Sequence, residues 1–249
     1  MSDNRPDGLP AGDALARLLE LPHVVTFAAV GSTLDEAHSL GASGAAAGTL
    51  VIADAQTAGR GRQGRTWRSE PGAGLWITLL ERPADTEAVS VLSLRIGLAL
   101  APALDPFASE PVRLKWPNDL YVGGRKLAGI LVEARWRDSL PEWVAIGVGV
   151  NVRAPTIEPN AIGLRHGTSR LDVLRAIIPA IRGAAARTGT LSDDERRAFA
   201  RRDLAAGHRC AEPVIGTVQG IDRAGALLVE SATGVVAVRA GSLVLTEAL

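Results

Sequence analysis

A loop rich in arginine and glycine, residues 56–67, carries the most distinctive chemistry in the sequence. Its three arginines, Arg60, Arg62 and Arg65, can surround a phosphate or a carboxylate with paired N–H donors. The glycines between them let backbone amides approach a ligand closely and leave the loop flexible. The pattern predicts a lid that becomes ordered over an anionic ligand and excludes water from it.

Two other interpretations of this loop are a solvent-exposed turn and an arginine–glycine tract that binds RNA. The apolar segments and Trp67 that frame the loop place it inside a folded domain, which weakens the first. The second fits poorly with 27 basic and 27 acidic residues, a formal net charge of zero and a tract that occurs once. Anion binding is favoured, and the loop alone does not identify the anion.

Only two of the 27 basic residues are lysines, Lys115 and Lys126. Arginine supplies positive charge everywhere else, so these two positions favour a compact ammonium group; chance clustering is the alternative. Lys126 begins an apolar predicted strand, where a cation is costly unless it is paired or faces a ligand.

A turn is predicted between the two lysines. Pro117 disfavours a helical conformation at Trp116, so Asn118 and Asp119 are expected to project from the end of a strand. This pair could cap the turn, or it could bind a nucleotide and its Mg²⁺.

A third segment places Gly147, Gly149 and Asn151 on one face of a predicted strand. Two glycines beside an amide indicate the floor of a pocket. A close crossing of another backbone is the alternative explanation for the glycines.

Composition indicates a folded protein, since 47% of the residues are apolar and 22% are charged, and 249 residues can form one large domain, or one large and one small. Cys210 is the only cysteine, so neither a disulfide framework nor a cysteine zinc site is expected. The N-terminus has no signal-peptide pattern. The apolar stretch at residues 96–104 is too short to span a membrane and contains Pro102. A cytoplasmic protein without a membrane partner is predicted.

The elements that must position these residues mix strands and helices without regular alternation, which predicts an α+β fold with a mixed or antiparallel sheet. Helix capping is predicted at Asp13 and, as capping boxes, at residues 33–36 and 192–195. Helices are predicted at residues 13–20, from 33, at 87–104, at 170–187 and from 192, and strands at 24–28, 49–53, 75–80, 112–116, 126–134 and 144–152.

From about residue 207 the pattern changes to short alternating strands separated by turn signals. The strands are predicted at residues 214–221, 226–231, 235–239 and 243–245. A module of this size and pattern suits a compact β-barrel.

In this order the segments resemble the biotin–protein ligases. That family carries a G-S-T-N-like turn, a Q-x-x-G-R-G-R-x-G-R-x-W loop, a K-W-P-N-D segment followed by K-L-x-G-I-L-x-E, and a G-x-G-x-N strand. The matching segments are residues 31–34, 56–67, 115–119, 126–133 and 147–151. The resemblance is strong over residues 20–152 and weaker in the C-terminal module, at residues 220–230.

The resemblance implies a ligase-like α+β catalytic domain at residues 13–205 and a small SH3-like β-barrel at residues 206–249. It also implies an enzyme that uses ATP and Mg²⁺ to convert biotin to biotinyl-5′-AMP, releasing diphosphate. Biotin is then transferred to a lysine of the biotin carboxyl carrier protein of acetyl-CoA carboxylase.

Carried over position by position, the resemblance implies that Lys126 and Arg62 are catalytic, at the carboxylate and the α-phosphate. The implied biotin site consists of Ser32, Thr33, Gln56, Gly59, Arg60, Gly61, Arg62, Trp67, Lys126, Gly147 and Gly149. The implied ATP site consists of Arg62, Arg65, Lys115, Asn118, Lys126 and Asn151, with Asp119 as the Mg²⁺ candidate.

Two positions depart from the family pattern. Leu34 replaces the usual asparagine of the turn, and the family's tryptophan after the G-x-G-x-N strand has no counterpart between Asn151 and Ser169. The sequence begins close to the catalytic domain without a helix-turn-helix, so neither repressor activity nor a nucleic-acid partner is expected. A homodimer is compatible with the sequence.

The nearest alternative is a lipoate–protein ligase, which shares the fold and the adenylate chemistry; the three-arginine loop favours biotin. A non-catalytic biotin sensor and a nucleic-acid-binding protein are alternatives of other classes.

Overall fold

The computed structural model describes residues 8–83 and 85–246. Its helices are α1 (Gly12–Leu19), α2 (Thr33–Ala42), α3 (Thr86–Leu104), α4 (Arg170–Ala185) and α5 (Asp193–Arg202). Its strands are β1 (His23–Val30), β2 (Thr49–Gln56), β3 (Gly74–Glu81), β4 (Arg113–Lys115), β5 (Asp119–Val122), β6 (Arg125–Arg137), β7 (Leu140–Asn151), β8 (Arg209–Glu212), β9 (Gly216–Ile221), β10 (Leu227–Ser231), β11 (Gly234–Val238) and β12 (Val244–Leu245).

The first seven strands form one sheet in the order β1-β2-β3-β7-β6-β5-β4. Strands β1 and β2 are parallel, and the other neighbours are antiparallel. The prediction of an α+β fold with a mixed sheet is therefore confirmed.

Alternate residues of each strand face opposite sides of this sheet. Leu50 and Ile52 of β2 belong to a large core that also takes in buried side chains of α1, α3 and α4. Between them, Val51 faces the other side and packs with Leu34 and Ala37 of α2. Helix α2 thus covers one face of the sheet, and most of the helical mass covers the other.

Helix α3 begins within one residue of its predicted span of 87–104, but its apolar stretch is longer than the predicted residues 96–104. Its extension to Phe107 gives a 22-residue segment that could cross a membrane by length and composition alone, with a mean hydropathy of 1.5. Arg95, in its middle, is buried and paired with Glu195 of α5. The helix packs against α4 and the sheet, as the core helix of a soluble protein does.

Two of the three predicted helix caps are wrong. Helix α1 begins after Ala11, so Asp13 lies inside its first turn and does not cap it. Helix α2 begins after Ser32 without a side-chain cap, because the Thr33 hydroxyl is bonded to Gln56 instead. The capping box of Ser192 and Glu195 at the start of α5 is confirmed.

The C-terminal strands form a second, antiparallel sheet in the order β11-β10-β9-β8-β12. It has five strands because β8, which the sequence pattern did not indicate, pairs with both β9 and β12. The Trp116 indole donates to the Gly225 carbonyl at 3.0 Å and so links this module to the main sheet. A boundary between residues 205 and 206 remains a prediction.

Candidate active site

On the face of the main sheet that α2 covers, paired residues of neighbouring strands form a row that includes two glycines. Gly149 of β7 lies opposite Trp76 of β3 on one side and Gly129 of β6 on the other. Gly129 in turn pairs with Asp119 at the start of β5. The next row holds Gly147. Because paired residues of adjacent strands share a face, this row forms a shallow channel across the sheet.

Trp67, at the end of the arginine–glycine loop, fills part of that channel. A Cβ on Gly149 would lie 2.6 Å from the Trp67 indole, and one on Gly129 would lie 2.8 Å from it. Trp67 also contacts Trp76 edge-on, with ring centres 6.1 Å apart. Trp67 therefore packs directly on Gly149, the predicted pocket floor, and only a residue without a side chain fits there.

Above the row is a cavity of about 350 Å³, within the usual range for a small-molecule site. The loop, the 115–119 turn, β6 and β7 all contribute to its lining. The residues that line it and were predicted from the sequence are Thr33, Gln56, Arg60, Gly61, Arg62, Arg65, Trp67, Lys115, Asn118, Asp119, Lys126, Gly147 and Gly149. Leu34, Ile77, Ile130 and Val148 supply apolar surface.

Charge in this cavity is strongly unbalanced. Five basic side chains line it, while Asp119 is the one carboxylate among its described lining residues. The Lys126 Nζ lies 2.8 Å from Asp119 Oδ1 and 5.2 Å from the centre of the Trp67 ring. Pairing with Asp119 offsets the cost of placing Lys126 on an apolar strand. The remaining cations favour an anionic ligand.

Burial changes the acid–base properties of the cations beside Asp119. It lowers the pKa of Lys115, which the Asp119 charge partly opposes and the charges of Lys126 and Arg65 reinforce. Burial likewise lowers the pKa of Arg62, against the opposing effect of Asp119. The charges of Lys115 and Arg62 are thus less favourable than in water, and a bound phosphate would relieve that cost.

The inner end of the cavity is organised by hydrogen bonds around Thr33. Its backbone N–H and its hydroxyl both donate to Gln56 Oε1, at 2.9 and 3.1 Å, and it accepts from the Thr78 hydroxyl at 2.8 Å. Gln56 Nε2 donates to Ser69. The Ser32 hydroxyl beside them is buried and has no hydrogen-bond partner in the described part of the chain. A buried, unpaired hydroxyl at this position suits a polar ligand group.

Arg60 points away from the basic cluster. It donates to both oxygens of Glu133 on β6, at 3.0 and 2.9 Å, and lies 2.8 Å from Asp35 on α2. His38 Nε2 lies 3.1 Å from the same Glu133 carboxylate. Arg60 thereby fastens the loop to both α2 and β6.

The sequence did not indicate that the C-terminal module reaches the site. Arg65 donates to the Ser242 hydroxyl at 2.7 Å, and that hydroxyl donates to Gln63 Oε1 at 3.0 Å. Gly241 and Leu243 line the cavity beside Ser242. These contacts join residues more than 170 positions apart, which no local pattern could reveal.

The Asn118 side-chain amide donates to the Ile130 carbonyl at 2.7 Å and so ties the turn to β6, a structural role. The residue also lines the cavity, and its contact with a nucleotide stays a prediction. Gly59 is buried, and a Cβ there would lie 2.4 Å from the Trp67 carbonyl oxygen, so a larger residue would not fit. Ser32, Gly59 and Asn151 are not among the lining residues of this cavity.

A second cavity, of about 240 Å³, adjoins the first. The two share Thr66, Trp67, Trp76, Tyr121 and Lys126. Asn151 lines the second cavity and donates weakly to the Lys126 carbonyl, at 3.4 Å. Burial, reinforced by the Asp119 charge, raises the pKa of Tyr121 to about 12, so its hydroxyl stays protonated at neutral pH. The sequence did not single out the residues that complete the lining, which are Arg68, Glu70, Ala73, Pro155, Ile157, Glu158, Asn160 and Ala161.

The acidic groups present do not form a dedicated metal cage. Among residues 8–83 and 85–246, no group of three or more histidine, cysteine or carboxylate side chains could hold an ion. One carboxylate beside a cluster of cations is compatible with Mg²⁺ that arrives with a nucleotide, because that ion keeps most of its ligands as phosphate and water oxygens.

The sequence matches the model of the biotin/lipoate A/B protein ligase family over residues 30–151. The biotin–[acetyl-CoA-carboxylase] ligase of Mycobacterium tuberculosis is 34% identical over 239 residues, which cover 87% of this chain and 86% of that protein. The chain belongs to this ligase family.

A longer relative matches over about half of the chain. The bifunctional ligase/repressor BirA of Bacillus subtilis is 38% identical over 131 residues, or 52% of this chain, and the chain spans 40% of the length of that protein. Among solved structures, the biotin protein ligase of Aquifex aeolicus in complex with biotin and ATP superposes with a TM-score of 0.70 at 25% identity. That match covers 90% of this chain and 98% of the other.

Proposed function

We propose that the protein is a biotin–protein ligase that converts biotin and ATP to biotinyl-5′-AMP and transfers biotin to a lysine of a biotin carboxyl carrier protein. The observation that carries the proposal is the composition of the first cavity. An apolar slot, with Gln56 and the buried, unpaired Ser32 hydroxyl at its inner end, opens onto Asp119 and a cluster of four cations, Arg62, Arg65, Lys115 and Lys126. Such a site suits a ligand with an apolar chain, a polar head and an anionic end that meets a phosphate.

The first step joins the biotin carboxylate to the α-phosphorus of ATP and expels diphosphate. Two anions must approach each other, so positioned cations are the main requirement for lowering the barrier. Lys126 and Arg62 are assigned to the carboxylate and the α-phosphate, because Lys126 lies where the two cavities meet. Arg65 and Lys115 are assigned to the other phosphates.

The inner end of the cavity is assigned to the ureido ring. Thr33 donates to the side-chain carbonyl oxygen of Gln56. The Gln56 amide nitrogen donates one hydrogen to Ser69 and retains the other for the ligand. Ser32 supplies an unpaired hydroxyl beside it. The Leu34 side chain packs beside Gly147, where an added Cβ would lie 3.2 Å from it. Leu34 contributes apolar surface where an asparagine would contribute an amide.

In the second step the amine of the carrier lysine attacks the acyl carbon of the adenylate, which forms an amide and releases AMP. Before that attack the mixed anhydride must be kept from water. Arg60 supports this role for the loop, since its pairs with Glu133 and Asp35 hold residues 59–67 against the sheet.

Asp119 is the assigned Mg²⁺ partner, and the ion would neutralise phosphate charge. The domain boundary near residue 205, a cytoplasmic location and a homodimer belong to the same proposal.

Transfer to a carrier domain tests the complete function. The purified protein is incubated with ATP, Mg²⁺, biotin and a biotin carboxyl carrier domain, and the carrier mass is measured. Biotin should be added to the carrier, and a carrier whose acceptor lysine is replaced by arginine should stay unmodified. Addition of lipoate to a lipoyl domain, with no biotin transfer, would favour the lipoate alternative.

A further inference from the structure

Residues 154–161, which we call the strap, contribute five of the residues that line the second cavity. At one end, Arg153 N–H donates to the Ala73 carbonyl at 2.7 Å. At the other, Asn160 accepts from the backbone N–H of Lys126 at 2.9 Å. The strap therefore runs from the end of β7 to the proposed catalytic lysine.

Glu70 holds the middle of the strap. One of its carboxylate oxygens, Oε1, accepts from the Thr156 N–H at 2.8 Å, the Thr156 hydroxyl at 3.1 Å and the Ile157 N–H at 3.4 Å. Hydrogen bonds to an ionised carboxylate are stronger than neutral ones, so this cluster fixes the local backbone. A second link, Arg68 to Glu158 at 3.4 Å, is solvent-exposed and contributes less.

The strap presents apolar groups to the cavity. Pro155, Ile157 and Ala161 line it, facing a space that Trp67 and Trp76 also line. Ile157 is 50% exposed, so about half of its side-chain surface is free to contact a ligand. A flat, weakly polar ring between these groups would cover it.

We propose that Glu70 is a positioning residue that holds the strap over the adenine ring of ATP, with Ile157 and Pro155 as its cover. The inference rests on the proposed function for the identity of the nucleotide. It assigns an aliphatic cover to a chain without a tryptophan between residues 152 and 168. Asn151 and Lys126 lie at the same cavity and connect it to the phosphate cluster.

Nucleotide binding tests this role independently of the reaction. Affinity for α,β-methylene ATP, which cannot release diphosphate, is measured by calorimetry with biotin present, and the guanine analogue is measured in parallel. Glu70→Ala should weaken binding of the adenine analogue about tenfold, because three hydrogen bonds to the strap are lost. Its preference for adenine over guanine should fall, while its affinity for biotin alone should stay within about twofold of wild type, as the biotin contacts are untouched. Glu70→Gln keeps an acceptor oxygen and should lie between the two.

Asp85→Ala is the matched control. Asp85 also accepts two backbone N–H groups, those of Ala88 and Gly189, but far from either cavity. It should lower the melting temperature and leave nucleotide affinity unchanged. Wild-type adenine affinity and selectivity in Glu70→Ala would overturn the inference, as would equal losses for biotin and nucleotide. If the wild type binds the analogue but forms no adenylate, the proposed function fails while the role of Glu70 is still decided by these affinities.

Discussion

Lys126 and Asp119 form an ion pair, with 2.8 Å between Nζ and Oδ1, where the two cavities meet. The pair joins the start of β6 to the start of β5 across the Gly123–Gly124 hairpin. It holds the ammonium group in place before a ligand arrives. A phosphate or carboxylate then needs only to share a cation that is already positioned.

Lys126→Ala should reduce adenylate formation by about 100-fold or more, because a cation aimed at the developing charge is lost. Lys126 is about one-third exposed, so the fold should persist. Single-turnover formation of biotinyl-5′-AMP measures the effect. Arg125→Ala, which removes the exposed neighbouring cation, is the matched control and should react like the wild type. Wild-type rates for Lys126→Ala would refute its catalytic role.

Gly149→Ala should damage the site through Trp67. The added methyl group would lie 2.6 Å from the indole, so Trp67 must move and the pocket must change shape. Biotin affinity should fall by about tenfold or more, a cost typical of overpacking a closely fitted site. Gly183→Ala, on the exposed face of α4 with open space around it, should leave affinity unchanged and slightly raise stability. Equal biotin affinity in the two variants, measured by calorimetry, would contradict the packing of Trp67 on Gly149.

Ser242→Ala should weaken ATP binding through the loop. The hydroxyl joins Arg65 and Gln63, and its loss frees an arginine assigned to the phosphates. The KM for ATP should rise roughly three- to tenfold, the usual effect of one or two hydrogen bonds, while the KM for biotin changes less. Ser242→Thr should restore most of the affinity. A fall in kcat alone, with both KM values unchanged, would show that the contact does not position Arg65 for ATP.

Stability at acid pH should depend on Glu195. Burial alone would raise the pKa of this carboxyl, but hydrogen bonds from Arg95 and Ser192 and the nearby arginine charges outweigh it and lower the pKa below 4.5. The folded protein therefore binds this proton less tightly than the unfolded chain does. The resulting stability is complete above about pH 4.5 and is lost as the pH falls through the folded pKa.

Glu195→Gln removes this titration and leaves Arg95 buried without its charge partner. It should lower the free energy of unfolding at pH 7 by about 3–5 kcal/mol and flatten the acid decline, as seen by urea unfolding at several pH values. Asp194→Asn, at an exposed position of the same helix, should change neither. An unchanged acid decline in Glu195→Gln would show that other carboxyls control it.

The fold class and most of the residues that line the first cavity were predictable from the sequence because those features have local signatures. The patterns of apolar residues predicted the strands of the sheet. The glycine spacing of residues 59–67 and 147–149 predicted that these segments lie at a ligand pocket. The packing of Trp67 on Gly149, the reach of Ser242 and the bonds of Glu70 to the strap were not predictable. They depend on contacts between distant segments whose residue types are ordinary for exposed turns.

The helix caps show the same limit at short range. A threonine followed three residues later by a glutamate favours a capping box at residues 33–36. In the folded protein the Thr33 hydroxyl donates to Gln56 and accepts from Thr78 and does not cap the helix. Burial makes an unsatisfied Gln56 carbonyl costly, which favours this arrangement.

Biotin-dependent exchange of labelled diphosphate into ATP measures the reversal of the first step and tests the proposed function most directly. The purified protein should incorporate label when ATP, Mg²⁺ and biotin are all present, and omission of biotin should abolish it. Exchange that requires lipoate and ignores biotin, or no exchange with either acid, would contradict the proposal.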